Sequence, residues 1–229
     1  MQIAGFDKLS LLNYPDRVAA TIFTNGCNFR CPYCQNSELV LDIQDNELIP
    51  EEEVLDYLRE RKKLLDGVCI TGGEPTIQPD LIEFIKKVKD IGLLVKLDTN
   101  GSNPQVIKTL LDNNLIDYIA MDIKSVFSKY EIITCRNVNI DRLRESINLI
   151  KNSKIEYEFR TTVIKEFMTP EDIELIINYL NCKHYFLQKF EDRETNIISN
   201  LEAYTDQELK EIYNKLKQKY DYIQIRGIN

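Results

Sequence analysis

Val18-Ala19-Ala20-Thr21-Ile22-Phe23-Thr24-Asn25-Gly26-Cys27-Asn28-Phe29-Arg30-Cys31-Pro32-Tyr33-Cys34-Gln35-Asn36 decides the reading of this chain. Its first seven residues are small, β-branched or aromatic and carry no charge, which suits a strand buried on both faces. Asn25-Gly26 ends the run, and Cys27, Cys31 and Cys34 follow at CxxxCxxC spacing, in the loop after the strand. Further short apolar runs occur at Val68 to Thr71, Leu93 to Leu97, Tyr118 to Met121, Tyr157 to Ile164, Tyr185 to Phe190 and Tyr222 to Arg226. Between them lie segments with helical spacing of apolar residues, each with its own punctuation. Pro50 and Glu51 to Glu53 open one whose stripe is Leu55, Leu58 and Leu65, and Leu81, Phe84, Ile85 and Val88 form another that closes at Gly92. Pro104, Leu143 to Ile150, Pro170 and Leu209 to Leu216 mark four more.

Repeated βα units of this kind build a parallel sheet. Six units against the eight of a closed barrel predict an α/β fold: a partial, open (β/α)6 TIM-like barrel of mainly parallel strands, with its site at the strands' C-terminal ends. Without a Gly/Ser/Pro-rich linker, residues 1–229 are expected as one domain, with a core over 18–190, an N-terminal extension over 1–17 and a C-terminal helix and strand over 205–227. A formal charge of −8 repels phosphate backbones and anionic lipid, so neither nucleic acid nor membrane is an expected partner. With no signal-peptide pattern at the N-terminus and no apolar run of membrane-spanning length, the expected location is the cytoplasm.

A reducing cytoplasm turns six cysteines away from disulfides and toward metal or catalysis. Three clustered thiolates are one short of the four that a structural zinc or an electron-transfer cluster requires, and a 4Fe-4S cluster on three cysteines keeps one iron open to a bound molecule. Zinc completed by a distant cysteine or His184, or three unligated thiols, are the plainer alternatives. Cys69, Cys135 and Cys182 read as buried small hydrophobes, and His184 as a structural histidine.

The run Cys27-x3-Cys31-x2-Cys34, with Tyr33 before the third cysteine, resembles the radical S-adenosylmethionine (SAM) superfamily. Thr71-Gly72-Gly73-Glu74-Pro75 is similar to its GGE motif, one βα unit later; alone, it would be a strand-to-helix turn. Lys96-Leu97-Asp98-Thr99-Asn100-Gly101 and Ala120-Met121-Asp122-Ile123-Lys124 resemble the LDTNG and DxK motifs of glycyl-radical-enzyme activating enzymes, including the activator of pyruvate formate-lyase. The N-terminal stretch Gly5 to Val18 and the short chain are similar to the activators of anaerobic ribonucleoside-triphosphate reductase.

The resemblance implies a 4Fe-4S cluster on Cys27, Cys31 and Cys34, and SAM contacts at Tyr33, Gln35, Gly72, Gly73, Glu74, Asp122, Ile123, Lys124 and Arg160. It also implies a monovalent cation on Asp98, Thr99 and Asp122. Ordinary alternatives are a helix N-cap at Asp98, an Asp122–Lys124 salt bridge and an internal ion pair at Arg160. Gln35 stands where many relatives carry histidine, and Gln188 or Glu191 would serve the adenine side in place of a histidine-bearing segment. No residue beyond cluster and SAM is assigned to catalysis. The implied activity is reductive cleavage of SAM to a 5′-deoxyadenosyl radical that abstracts hydrogen from a glycine of a partner glycyl radical enzyme, foremost anaerobic ribonucleotide reductase. Flavodoxin or ferredoxin is the implied electron donor, and the activase is expected as a monomer. The competing readings are a radical SAM enzyme acting on a small molecule, as in 7-carboxy-7-deazaguanine synthase chemistry, and a non-catalytic metal-stabilised binding module.

Overall fold

The computed structural model describes residues 1–41, 43–44 and 47–228. One eight-stranded sheet runs in sequential order: β1 (Ile3–Ser10), β2 (Ala19–Thr24), β3 (Gly67–Gly72), β4 (Leu94–Thr99), β5 (Tyr118–Asp122), β6 (Glu156–Val163), β7 (Tyr185–Lys189) and β8 (Ile223–Arg226). β1 pairs antiparallel with β2, and every later neighbour is parallel. Among the described residues the edge strands β1 and β8 do not pair with each other, so the barrel is open. The residues expected as an N-terminal extension supply β1, and the last strand joins in parallel, so the sheet exceeds six units by one strand at each edge.

The helices are α1 (Glu38–Leu41), α2 (Glu51–Arg61), α3 (Leu81–Ile91), α4 (Pro104–Asp112), α5 (Tyr130–Thr134), α6 (Ile140–Lys151), α7 (Pro170–Leu180) and α8 (Asp206–Lys217). Proline opens α4 and α7, capping boxes at Thr169 and Thr205 start α7 and α8, and Gly92, at φ +95°, ends α3 in the left-handed region. Leu65 lies beyond the end of α2, although its side chain is still buried. α1 and α5 are too short to show a helical stripe in sequence.

Alternation along the strands explains what the sheet holds. One face carries Ala20, Ile22, Val68, Ile70, Val95, Leu97, Ile119, Phe159, Val163 and Leu187, all essentially inaccessible. In register on the other face stand Thr21, Cys69 and Lys96, then Asp98 beside Ala120 and Glu158, with Asp122 paired to Arg160, and Gln188 to Arg226. The expectation of strands apolar on both faces therefore holds for burial but not for chemistry: the inner face is polar and charged.

Candidate active site

The cysteine loop leaves β2 and is fastened from several elements. Arg30 donates its backbone N–H to Thr134 O at 2.8 Å, while its guanidinium donates to the carbonyls of Cys27 (2.6 Å) and Phe29 (2.8 Å). Gly26 N–H bonds Leu39 O at 2.7 Å, and Ile198 N–H bonds Pro32 O at 2.8 Å. Gly73 N–H donates to Thr24 O and Glu74 N–H to Gly26 O, both at 2.9 Å. The glycine pair owes its identity to this contact. A Cβ on Gly73 would lie 1.9 Å from Gly26 O, and one on Gly72, at φ +107°, would lie 2.4 Å from Thr24 N. Here the close approach that demands glycine is between two parts of the chain itself, the end of β2 with its cysteine loop and the end of β3 with its glycine turn.

Cys27, Cys31 and Cys34 are unpaired by disulfides and line one cavity of about 300 Å³ at the C-terminal ends of the strands. Burial pushes the Cys27 thiol up to about 12, with the Glu74 carboxylate adding to it, and pushes Cys31 up to about 11, so a metal bound there must displace their protons. Among the described residues no three His, Cys, Asp or Glu side chains are already gathered as an ion cage. The donor set nevertheless suits an iron–sulfur group: three thiols and no carboxylate on one loop. Tyr33 supplies a second sign, since its hydroxyl is buried without a hydrogen-bond partner among the described residues and its ring lines the same cavity. Cys135, expected as buried, is exposed at the end of α5, at φ +50°. Cys69 and Cys182 are buried thiols as expected.

Glu74 is 1 % exposed and saturated by protein donors. Its carboxylate accepts from Thr76 N–H (3.1 Å) and Oγ1 (2.5 Å), Thr99 Oγ1 (2.7 Å) and Asn100 N–H (2.6 Å). Burial raises its pKa above the usual carboxylate range, although those donors pull the other way. Glu74 thereby ties the loop after β3 to the loop after β4.

The cavity floor is an ion-pair network. Lys96 and Arg160 flank Asp98, the latter at 2.9 Å from Oδ2, and Arg160 and Lys124 flank Asp122, with Lys124 Nζ 3.0 Å from Oδ2. Burial, the largest single influence, disfavours the charged carboxylates, but Arg160 together with Lys96 at Asp98, and together with Lys124 at Asp122, outweighs it, so both lie below the usual range. Thus each oxygen of the two carboxylates faces a protein cation, and the Thr99 hydroxyl is turned to Glu74: Asp98, Thr99 and Asp122 are neighbours without forming one ligand set. The Asp122–Lys124 pair and the Arg160 ion pair, held open on the sequence, are both present.

From the edge strand β8, Arg226 holds the buried Glu158 with two bonds of 2.8 Å, lies 3.5 Å from the Phe186 ring centroid, and shares Glu158 with Tyr118. Neither Glu158 nor Arg226 stands among the sequence-derived site residues. Glu158 was within reach through its same-face spacing from Arg160, whereas Arg226 is 68 residues from its partner. Gln35 Nε2 donates to Glu191 O at 3.3 Å, joining the cysteine loop to the end of β7. Ile123 is buried beside the cavity-lining Asp122 and Lys124, and its carbonyl accepts from Thr161 Oγ1 at 2.8 Å. A second cavity of about 240 Å³, reaching from Leu12 and Pro15 to Arg226 and Gly227, shares Gln35, Asp98, Arg160 and Gln188 with the first.

Cysteine loop, glycine turn and charged floor thus meet at one end of an open parallel barrel. The family model described as the radical SAM superfamily matches residues 21–180. The chain belongs to the radical SAM superfamily. Membership implies SAM and a 4Fe-4S cluster. Over 99% of this chain and 96% of the relative, it is 36% identical to a Methanocaldococcus jannaschii protein whose name places it, provisionally, among glycyl-radical enzyme activating enzymes. It is also 36% identical to the 7-carboxy-7-deazaguanine synthase of Thermoplasma acidophilum, over 46% of this chain and 47% of that one. Among solved structures, Streptococcus suis SuiB bound to S-adenosylmethionine shares the fold at a TM-score of 0.71 and 15% identity. That alignment covers 88% of this chain and 48% of SuiB, so the chain spans about half of SuiB's length. No helix among the described residues is long and apolar enough to cross a membrane.

Proposed function

We propose that this radical SAM protein activates a glycyl radical enzyme, with an anaerobic ribonucleotide reductase as its first candidate partner. The observation that carries the reading is the 36% identity, along nearly the whole of both chains, to a relative named for that activity. Cys27, Cys31 and Cys34 would hold the 4Fe-4S cluster, and Tyr33, Gly72, Gly73, Ile123, Lys124 and Arg160 would surround SAM. Cluster and SAM, when bound, supply a carbon radical generated by one-electron reduction, able to take hydrogen from a glycine Cα.

The chain's own residues then do three things. Arg30 and the Gly73–Gly26 contact fix the cysteine loop against β3, which orients the three thiols before any ligand arrives. Arg160 and Lys124, held charged by Asp98 and Asp122, offer cationic hydrogen-bond donors to a carboxylate such as that of SAM. We assign Asp98 and Asp122 to that network, leaving the monovalent cation outside this reading. The apolar outer face and its helices keep water from the opposite side of the sheet. The open edge between β1 and β8 would admit a flexible glycine-bearing loop, and a flavodoxin- or ferredoxin-type carrier would supply the electron.

A second reading, a radical enzyme acting on a small molecule, draws on the partial similarity to 7-carboxy-7-deazaguanine synthase. Anaerobic reconstitution, reduction and addition of SAM decide the class: absence of 5′-deoxyadenosine removes both readings. Addition of a candidate partner separates them, a glycyl doublet in electron paramagnetic resonance favouring the activase, and its absence with every glycyl radical enzyme of the same organism removing it.

A further inference from the structure

We infer that Gln188 binds the main chain of the substrate segment, its side-chain amide pairing with a peptide unit beside the reacting glycine. The inference rests on the activase reading above. A glycine offers no side chain to grip, so an enzyme that selects one glycine Cα has to fix it through the neighbouring amides. A glutamine amide suits that task, because its N–H and C=O can meet the C=O and N–H of one peptide unit together.

The two cavities at the C-terminal ends of the strands differ in what lines them. Cys27, Cys31, Cys34 and the glycine turn line the first only. The second holds none of them and spans the open edge, from Leu12 and Pro15 on the β1 side to Arg226 on β8. Gln188 lines both. Thr162, its register partner on β6, lines the first cavity, and Arg226, its register partner on β8, lines the second, so Gln188 stands at their junction. A segment entering at the edge meets this amide on the way to the cysteines.

The polar neighbours of Gln188 are already engaged. Lys96 and Arg160 hold Asp98, Arg226 holds Glu158, Lys189 pairs with Asp206 and Glu191 with Arg193. Gln35 bonds Glu191 O, and Asn13 bonds Thr21 Oγ1. Among the described residues lining the second cavity, Gln188 is the polar side chain left with no hydrogen bond or ion pair. A half-buried amide with both its donor and its acceptor open calls for a ligand that supplies both. Its neutrality suits a main chain rather than a charged group. The adenine edge of SAM is the other ligand that an amide reads at two points, and the test separates the two.

The test uses the cluster-loaded protein, reduced with dithionite under anaerobic conditions and supplied with SAM. SAM affinity is read by equilibrium dialysis and partner-free cleavage by 5′-deoxyadenosine. Activation is read as the glycyl doublet, over a range of concentrations of the glycyl radical enzyme that gives it with the wild type. Gln188→Ala should lower kcat/KM for the partner about tenfold, while SAM affinity and partner-free cleavage stay within about twofold. Gln188→Glu, of the same shape but without the N–H donors, should be slowed alike, and melting temperatures should match the wild type, since the side chain has no bond to lose. A tenfold loss of SAM affinity in both variants would put Gln188 on the adenine. Unchanged kcat/KM would leave it with no substrate to read, and lowered melting temperatures in both variants would make it a structural group. Each of these overturns the inference while the activase reading stands. A wild type that gives no doublet with any glycyl radical enzyme of the same organism overturns both.

Discussion

Removing the Glu74 carboxylate tests whether the third residue of the glycine turn is a clamp or a ligand. In the structure it accepts two backbone N–H groups, from Thr76 and Asn100, and two hydroxyls, from Thr76 and Thr99. The hydroxyls can rotate to other acceptors, but the backbone donors cannot. In Glu74→Ala both N–H groups lose their partner in a buried place, at about 1–3 kcal/mol each, so the ligand-free protein should lose about 2–6 kcal/mol. Glu74→Gln keeps one carbonyl oxygen and strands one N–H, for a loss of about 1–3 kcal/mol. Urea unfolding of ligand-free protein under anaerobic conditions, with unchanged denaturant slope, measures both. A loss below about 1 kcal/mol in Glu74→Ala, together with weakened SAM binding, would refute the clamp and make Glu74 a direct ligand.

The remaining expectations use the same structure. Asp98 and Asp122 lie below their unfolded value of about 3.9, so the stability they contribute is present above that pH and is lost as pH falls through their folded values. Arg160→Leu should therefore differ most from wild type near neutrality, the gap narrowing below about pH 4 in urea titrations; a gap that widens in acid would contradict the network. Gly73→Ala should give a collapsed melting temperature or insoluble protein, whereas Gly92→Ala, with open space around it but φ +95°, should lose only about 1 kcal/mol. Tyr33→Phe removes an unpartnered buried hydroxyl, so ligand-free stability should hold or rise by about 1 kcal/mol while SAM affinity falls; unchanged affinity by equilibrium dialysis would release the hydroxyl from any ligand role. Cys31→Ala should abolish iron retention after reconstitution and Cys135→Ala should not, as read by iron and sulfide analysis.

The strands and most helices were legible because apolar periodicity and proline or glycine punctuation are local properties, and they agree with the sheet within a few residues. The cysteines and glycines declared themselves by spacing. What sequence could not give was the reason for the glycines, because Gly73 meets Gly26 only after β2 and β3 pair. The polar inner face was hidden likewise: Lys96, Asp98, Glu158 and Arg160 alternate with apolar residues on their strands, but their pairing crosses strands. Cys135 read as a buried thiol because an unligated cysteine behaves as a small hydrophobe, whereas it stands exposed in the left-handed turn after α5.

The contact between Gly73 and Gly26 also orders events in time. The three thiols leave the ribosome well before the glycine turn that braces their loop, and parallel β2–β3 pairing must wait for the intervening crossover. Until then the thiols hang on a flexible loop, open to oxidation and to whatever metal arrives first. Faithful loading therefore belongs to the finished fold, and a cell making this protein needs its iron–sulfur supply to meet folded chains rather than nascent ones.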